Sequence, residues 1–231
     1  MKRLAGFSLP ELLAAVAVAG LLASLGIAAV GRSIDRVNSA KCLSHLRQWG
    51  GALQCYIQES GGFLPRRGQG VQPVWVVDRP DDWFNSLAAY LEMPAYHDLY
   101  KAGKAPKPGA RSVFVCPAAR VTNSYTHFIS YGMNMYLSRW DQPERSRVVQ
   151  LPSPATLAFL ADSPGGYAST VPSSRPFSVM PRHGGRANVA FVDGHVGSFP
   201  GDYLGCGSGE VAQPDIRWQP GLAGDTWRPV F

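Results

Sequence analysis

Gly6-Phe7-Ser8-Leu9-Pro10-Glu11 opens an apolar run that continues to Val30. Two cations, Lys2 and Arg3, precede it. Between Leu4 and Gly31 the only charged residue is Glu11, and Arg32 closes the stretch. As a helix, a run of this length crosses a hydrocarbon core of about 30 Å, so the sequence predicts a membrane-spanning helix over residues 7–31. Lys2 and Arg3 would hold its start on the cytoplasmic side and send the remainder outward. A carboxylate at the centre of such a helix costs roughly 2.5–3.5 kcal/mol on insertion scales. Glu11 is therefore the first candidate functional residue. Pro10 fits the first helical turn, where its missing N–H would have no partner anyway.

Two plainer readings share the basic start and the apolar run. A secretory signal peptide ends in small residues, and Ala28-Ala29-Val30-Gly31 resembles such a site loosely. A simple signal anchor is the other. Neither requires Glu11, nor Gly-Phe-Ser-Leu-Pro-Glu so close to the N-terminus.

Beyond the apolar run, residues 33–60 predict an amphipathic continuation of the same helix. Ile34, Val37, Leu46, Trp49, Leu53, Tyr56 and Ile57 recur at helical spacing, with Asp35, Arg36, Lys41, His45 and Arg47 between them. Gly61-Gly62 supplies a stop. Residues 74–77 (Val-Trp-Val-Val) and 112–115 (Ser-Val-Phe-Val) predict short strands. Residues 81–92 predict a helix capped by Asp81 or Asp82, and residues 130–134 a turn. The apolar 156–161 predicts a strand buried on both faces. Asn188 to Val192 and His195 to Phe199 flank Asp193-Gly194 and predict a hairpin with a type I′ turn. The fold expected is α+β, a long N-terminal helix with a small antiparallel sheet packed on its outer half.

Of the 231 residues, roughly 200 remain for one domain with a real core. Net charge is +6, with scattered arginines, so the balance does not argue for nucleic acid. No Walker motif, G-x-G-x-x-G or G-x-S-x-G is present, which disfavours nucleotide enzymes and serine hydrolases.

The N-terminal stretch resembles the type III signal of type IV pilins and type II secretion pseudopilins, with Gly6, Phe7 and Glu11 matching position by position. The resemblance implies a leader over residues 1–6, cut by a prepilin peptidase between Gly6 and Phe7, and methylation of the new Phe7 amine. It also implies a role for Glu11 in assembly with other pilin or pseudopilin subunits. Cleavage removes Lys2 and Arg3 and leaves a net charge of +4. Residues 32–231 would then form a pilin-like domain on the periplasmic side of the inner membrane.

A second mark lies near the C-terminal end. His183 and Asp193-Gly194 are separated by nine residues and resemble the H-x9-D-G signature of a prepilin-processing-associated subfamily. Cys42-Leu43, Gly62-Phe63-Leu64-Pro65, Phe114-Val115-Cys116-Pro117, Tyr131-Gly132-Met133-Asn134 and Ala161-Asp162-Ser163 resemble it too, in family order. The resemblance implies a structural subunit with no catalytic role and no cofactor. Four cysteines allow three pairings; the resemblance includes Cys42 and Cys116 and favours joining them, leaving Cys55–Cys206. Two readings of the motif stand open. His183 hydrogen-bonds near the turn and fastens residues 184–187, or His183, Asp193, His195 and Asp162 gather around a metal ion. The alternative functions are a membrane-anchored domain binding a ligand or metal, and a DNA-binding minor pilin with Arg and Lys clustered on one face.

Overall fold

The computed structural model describes residues 8–68, 78–120, 128–139, 142, 144–173, 178–208 and 213–221, with backbone alone for 25–32. Gly6, Phe7 and the strand predicted at 74–77 lie outside the described residues. The chain divides between Val37 and Asn38 into two compact units.

Helix α1 (Leu9–Glu59) begins in the first unit. Every described residue there from Ser8 to Ser24 is exposed. The expected membrane-spanning helix over 7–31 is corrected: among the described residues no helix is long and apolar enough to cross a membrane. The single-pass inner-membrane location with a periplasmic domain falls with that helix.

In the second unit α1 carries a stripe of buried residues, Cys42, Leu46, Trp49, Leu53 and Tyr56, spaced by four and three. Such spacing keeps side chains on one helical face. Gly61 and Gly62 end the helix at φ +71° and +89°. The Gly62 N–H donates to the Ile57 carbonyl at 2.8 Å, closing the last turn.

The stripe is covered by a five-stranded sheet of order β3-β1-β2-β4-β5 and by loops. Its strands are β1 (Tyr131–Asn134), β2 (Ala158–Asp162), β3 (Ser169–Thr170), β4 (Arg186–Phe191) and β5 (Val196–Pro200). Neighbours are antiparallel except β1 and β3. β2 is buried along its whole length because its two faces serve two cores. Leu157, Phe159 and Leu160 join Leu46, Trp49 and Leu53; Ala158 and Ala161 join Val189, Phe191, Ile216 and Trp218. The C-terminal segment thus covers the second face. Arg217 exchanges backbone hydrogen bonds with Thr156 and Ala158, and Asn134 Nδ2 donates to the Trp218 carbonyl at 2.6 Å.

Four local expectations are revised. Residues 130–134, expected as a turn, carry β1, because they pair with β2 and β3. Residues 112–115 are turns: the Val113 carbonyl accepts the Trp49 indole N–H, and Phe114 O accepts from Ser130 N–H. Residues 81–92 split into α2 (Trp83–Ser86) and a 3₁₀ turn (Ala88–Leu91) that stops at Glu92, φ +55°. A further helix, α3 (Tyr96–Lys101), follows. The β4–β5 connection is not the two-residue type I′ loop. Phe191 N–H donates to His195 O and Gly194 N–H to Phe191 O, a three-residue loop with Gly194 alone at positive φ.

Candidate functional site: thiols, carboxylate and imidazole around Asp162

Asp162 is the last residue of β2, paired with Tyr131 of β1, and its side chain is fully buried. A buried carboxylate requires donors. Asn188 N–H on β4 donates to Oδ2 at 2.8 Å, and the Cys42 thiol, on the buried stripe of α1, donates to Oδ1 at 3.0 Å. His183 Nε2 lies 3.4 Å from Oδ2 and 3.5 Å from Cys116 Sγ. One ligand atom from each of Cys42, Cys116, Asp162 and His183 lies within 4.8 Å of all the others, and all four residues are buried.

Local sequence explains the convergence. His183 precedes Gly184 and Gly185, both at positive φ, and exchanges backbone hydrogen bonds with Arg186, so a tight turn feeds β4 and aims the imidazole inward. Cys116 N–H donates to Ser130 Oγ, which ties the Cys-Pro segment to the start of β1. Behind Cys42, Tyr131 OH donates to the sulfur at 3.5 Å and meets His45 Nδ1 at 3.1 Å.

These contacts redistribute protons. Burial, the Cys116 contact and the Asp162 charge push the Cys42 thiol well above its ordinary value. Hydrogen bonds from Cys42 and, against burial, from His183 draw Cys116 down to about 6. Burial works against a charged His183, but its bonds to Asp162 and Cys116 outweigh that and raise it to about 9. Both shifts favour a charged His183 beside a Cys116 thiolate.

The arrangement is not a nucleophilic triad. In a triad the acid holds the nitrogen opposite the one facing the nucleophile. Here Asp162 and Cys116 both address Nε2, while Nδ1 is buried without a hydrogen-bond partner.

The residues singled out from the sequence divide between several places. Of the four named for a metal, Asp162 and His183 come together, while Asp193 and His195 do not join them. Asp193 Oδ1 sits 2.6 Å from His195 Nδ1 on the exposed hairpin tip, where the His195 ring stacks on Phe191. The motif residues His183 and Gly194 stand at opposite ends of β4. Cys42 and Cys116 are neighbours, but all four cysteines are free thiols. Cys55 is exposed on α1, and Cys206 packs beside the second core, so neither expected disulfide is formed. Glu11 is exposed and accepts from Ser8 N–H at 2.9 Å and from Ser8 Oγ at 2.7 Å, contacts that lower its pKa. Ser8-Leu9-Pro10-Glu11 is thus the start of a capping box, a local role in addition to any assembly role. His45, which backs the cluster, carried no motif, and Tyr131 stood in a family-like stretch with no role assigned to it.

No protein-family model, curated protein or solved structure matches this chain.

Proposed function

We propose that the chain is a pseudopilin-like structural subunit of a type II secretion or type IV pilus-like filament, cleaved by a prepilin peptidase between Gly6 and Phe7. The observation that supports it most is the start of α1. Leu9, Leu12, Leu13, Val16, Val18, Leu21 and Leu22 are each 55–73% exposed. A helix apolar on all sides reaches a stable state only when something buries it, and equivalent helices of neighbouring subunits are the occupant to which this reading commits. Glu11 is the lone charge among those side chains. Cleavage creates an amine at Phe7, and the Glu11 carboxylate of an adjacent subunit is its natural counter-charge. The role is structural rather than catalytic.

The test is the intact mass and N-terminal sequence of the protein recovered from cells that carry the peptidase. A chain beginning with N-methyl-Phe7 supports the reading. An intact Met1, or a cut near Gly31, overturns it.

A further inference from the structure

The filament reading gives the buried cluster no role, and its four ligand atoms lie within 4.8 Å of one another. The geometry points to a structural metal site, zinc by its ligand chemistry, formed by Cys42 Sγ, Cys116 Sγ, Asp162 Oδ and His183 Nε2. Two sulfurs, one imidazole and one carboxylate are a borderline-soft set of four, which suits zinc better than calcium or magnesium. Bond lengths of about 2.0 Å to oxygen or nitrogen and 2.3 Å to sulfur place tetrahedral ligand atoms roughly 3.3–3.8 Å apart. The distances here are 3.0 Å between Cys42 Sγ and Asp162 Oδ1, 3.4 Å between His183 Nε2 and Asp162 Oδ2, and 3.5 Å between His183 Nε2 and Cys116 Sγ. With all four ligand atoms within 4.8 Å of one another, shifts of up to about 1 Å bring the remaining pairs to those separations.

Three further features fit. Asp162 and Cys116 converge on a single ring nitrogen, the arrangement of atoms sharing one central partner. Two of the ligands are themselves held, with Tyr131 OH donating to Cys42 Sγ and Asn188 N–H to Asp162, while His183 Nδ1 has no hydrogen-bond partner among the described residues. All four ligands are buried, so no position is left open for substrate, and the site is structural. Binding displaces the Cys42 thiol proton and the His183 Nε2 proton to solvent while the ion takes their place; no electrons move. The ion would join α1, the Cys116 loop, β2 and the turn before β4 at one point, elements drawn from residues 42 to 183 of the chain.

The rival fate of the two sulfurs is a Cys42–Cys116 disulfide, and one experiment separates them. Full-length protein is purified under reducing conditions, stripped with a chelator and titrated with cobalt(II), then with zinc(II). Expected are one cobalt per chain, the intense visible bands of a tetrahedral thiolate site, and their loss on adding zinc. Cys55→Ser and Cys206→Ser should leave the bands unchanged. Cys42→Ser should keep about half of the sulfur-to-cobalt charge-transfer intensity, because one thiolate remains. His183→Ala should lose the tetrahedral spectrum. Wild-type protein with reduced thiols that takes up no cobalt, or cobalt bands that survive Cys42→Ser and Cys116→Ser together, overturns the site. Because the wild-type spectrum is itself decisive, a variant that fails to fold does not rescue the proposal. Failure here leaves the N-terminal processing test untouched.

Discussion

Gly50 on α1 and Gly194 at the tip of the β4–β5 hairpin meet backbone to backbone: a Cβ built on Gly50 would lie 2.6 Å from the Gly194 carbonyl oxygen. Gln54 Nε2 donates to Val192 O at 2.8 Å beside it. The H-x9-D-G spacing thereby acquires a physical meaning. One end of β4 is fastened to α1 through His183, Asp162 and Cys42, and the other through Gly194 and Gly50. Neither glycine tolerates a side chain, for different reasons: Gly50 lacks space, and Gly194 holds φ +92°. Gly50→Ala should cost about 1–3 kcal/mol, as overpacking against rigid backbone does. Gly194→Val should cost about 1–2 kcal/mol more than Gly194→Asn, since Asn visits positive φ far more readily. Urea unfolding of the three variants measures both.

His183→Ala leaves the buried Asp162 carboxylate without its cationic neighbour. In metal-free protein this should cost about 3 kcal/mol or more, the usual penalty for half of a broken buried pair. Asp162→Asn in the same background should recover part of the loss, because the stranded charge is gone. A double-mutant cycle on unfolding free energies reads the coupling. Additive effects of the two substitutions would contradict the pairing.

Ser8 and Glu11 separate capping from assembly. Glu11→Gln retains an acceptor for the Ser8 N–H but removes the charge. Under the filament reading it should abolish sheared-filament yield while leaving cleavage after Gly6 intact. Ser8→Ala removes the hydroxyl donor but keeps the charge and should still assemble. Wild-type yield from Glu11→Gln would confine that carboxylate to the cap.

Asp82 sets a pH dependence with an unusual sign. Burial, opposed by the Arg79 guanidinium 3.3 Å away, lifts its carboxyl from 3.8 to about 7. The folded state therefore holds a proton that the unfolded chain has released. Its contribution is complete below about pH 4 and declines as pH rises toward 7, by up to about 4 kcal/mol. Comparison with Asp82→Asn isolates it, because His45, lowered by burial, acts below its ordinary value in the opposite sense, while the raised His183 and the lowered Cys116 act above pH 6 with opposite signs. Melting temperature should fall from pH 4 to 6 in wild type and stay flatter in Asp82→Asn. Equal slopes would remove the assignment.

Periodicity made the outer part of α1 legible, since Leu46, Trp49, Leu53 and Tyr56 need only 3.6-residue spacing to declare a face. β2 was legible as an unbroken apolar run, and the hairpin by its Asp-Gly. The loop type was not, because whether Asp193 takes positive φ depends on how Gly194 docks against α1. Residues 112–115 carry strand-forming side chains, yet Trp49 claims the Val113 carbonyl, a tertiary partner that propensity does not contain. The site was half visible. His183 and Asp162 stood out, but nearness in sequence attracted Asp193 and His195 to the same group. The resemblance joined Cys42 and Cys116 to each other, and no spacing rule reaches from residue 42 to residue 183 to bring His183 and Asp162 beside them.

The close approach of Gly50 and Gly194 also has a consequence in time. A ribosome adding roughly 5–20 residues per second needs about 7–29 s to travel from one glycine to the other. Through that interval the stripe of Cys42, Leu46, Trp49 and Leu53 has left the tunnel without its sheet, and Trp218, which closes the opposite face, emerges later still. The nascent chain therefore presents an incompletely covered apolar helix during most of its own synthesis, the kind of surface that chaperones bind. Trp83, Phe114 and the Val113 carbonyl reach Trp49 earlier, but the helix keeps an open side until the hairpin tip has been made and has closed on Gly50.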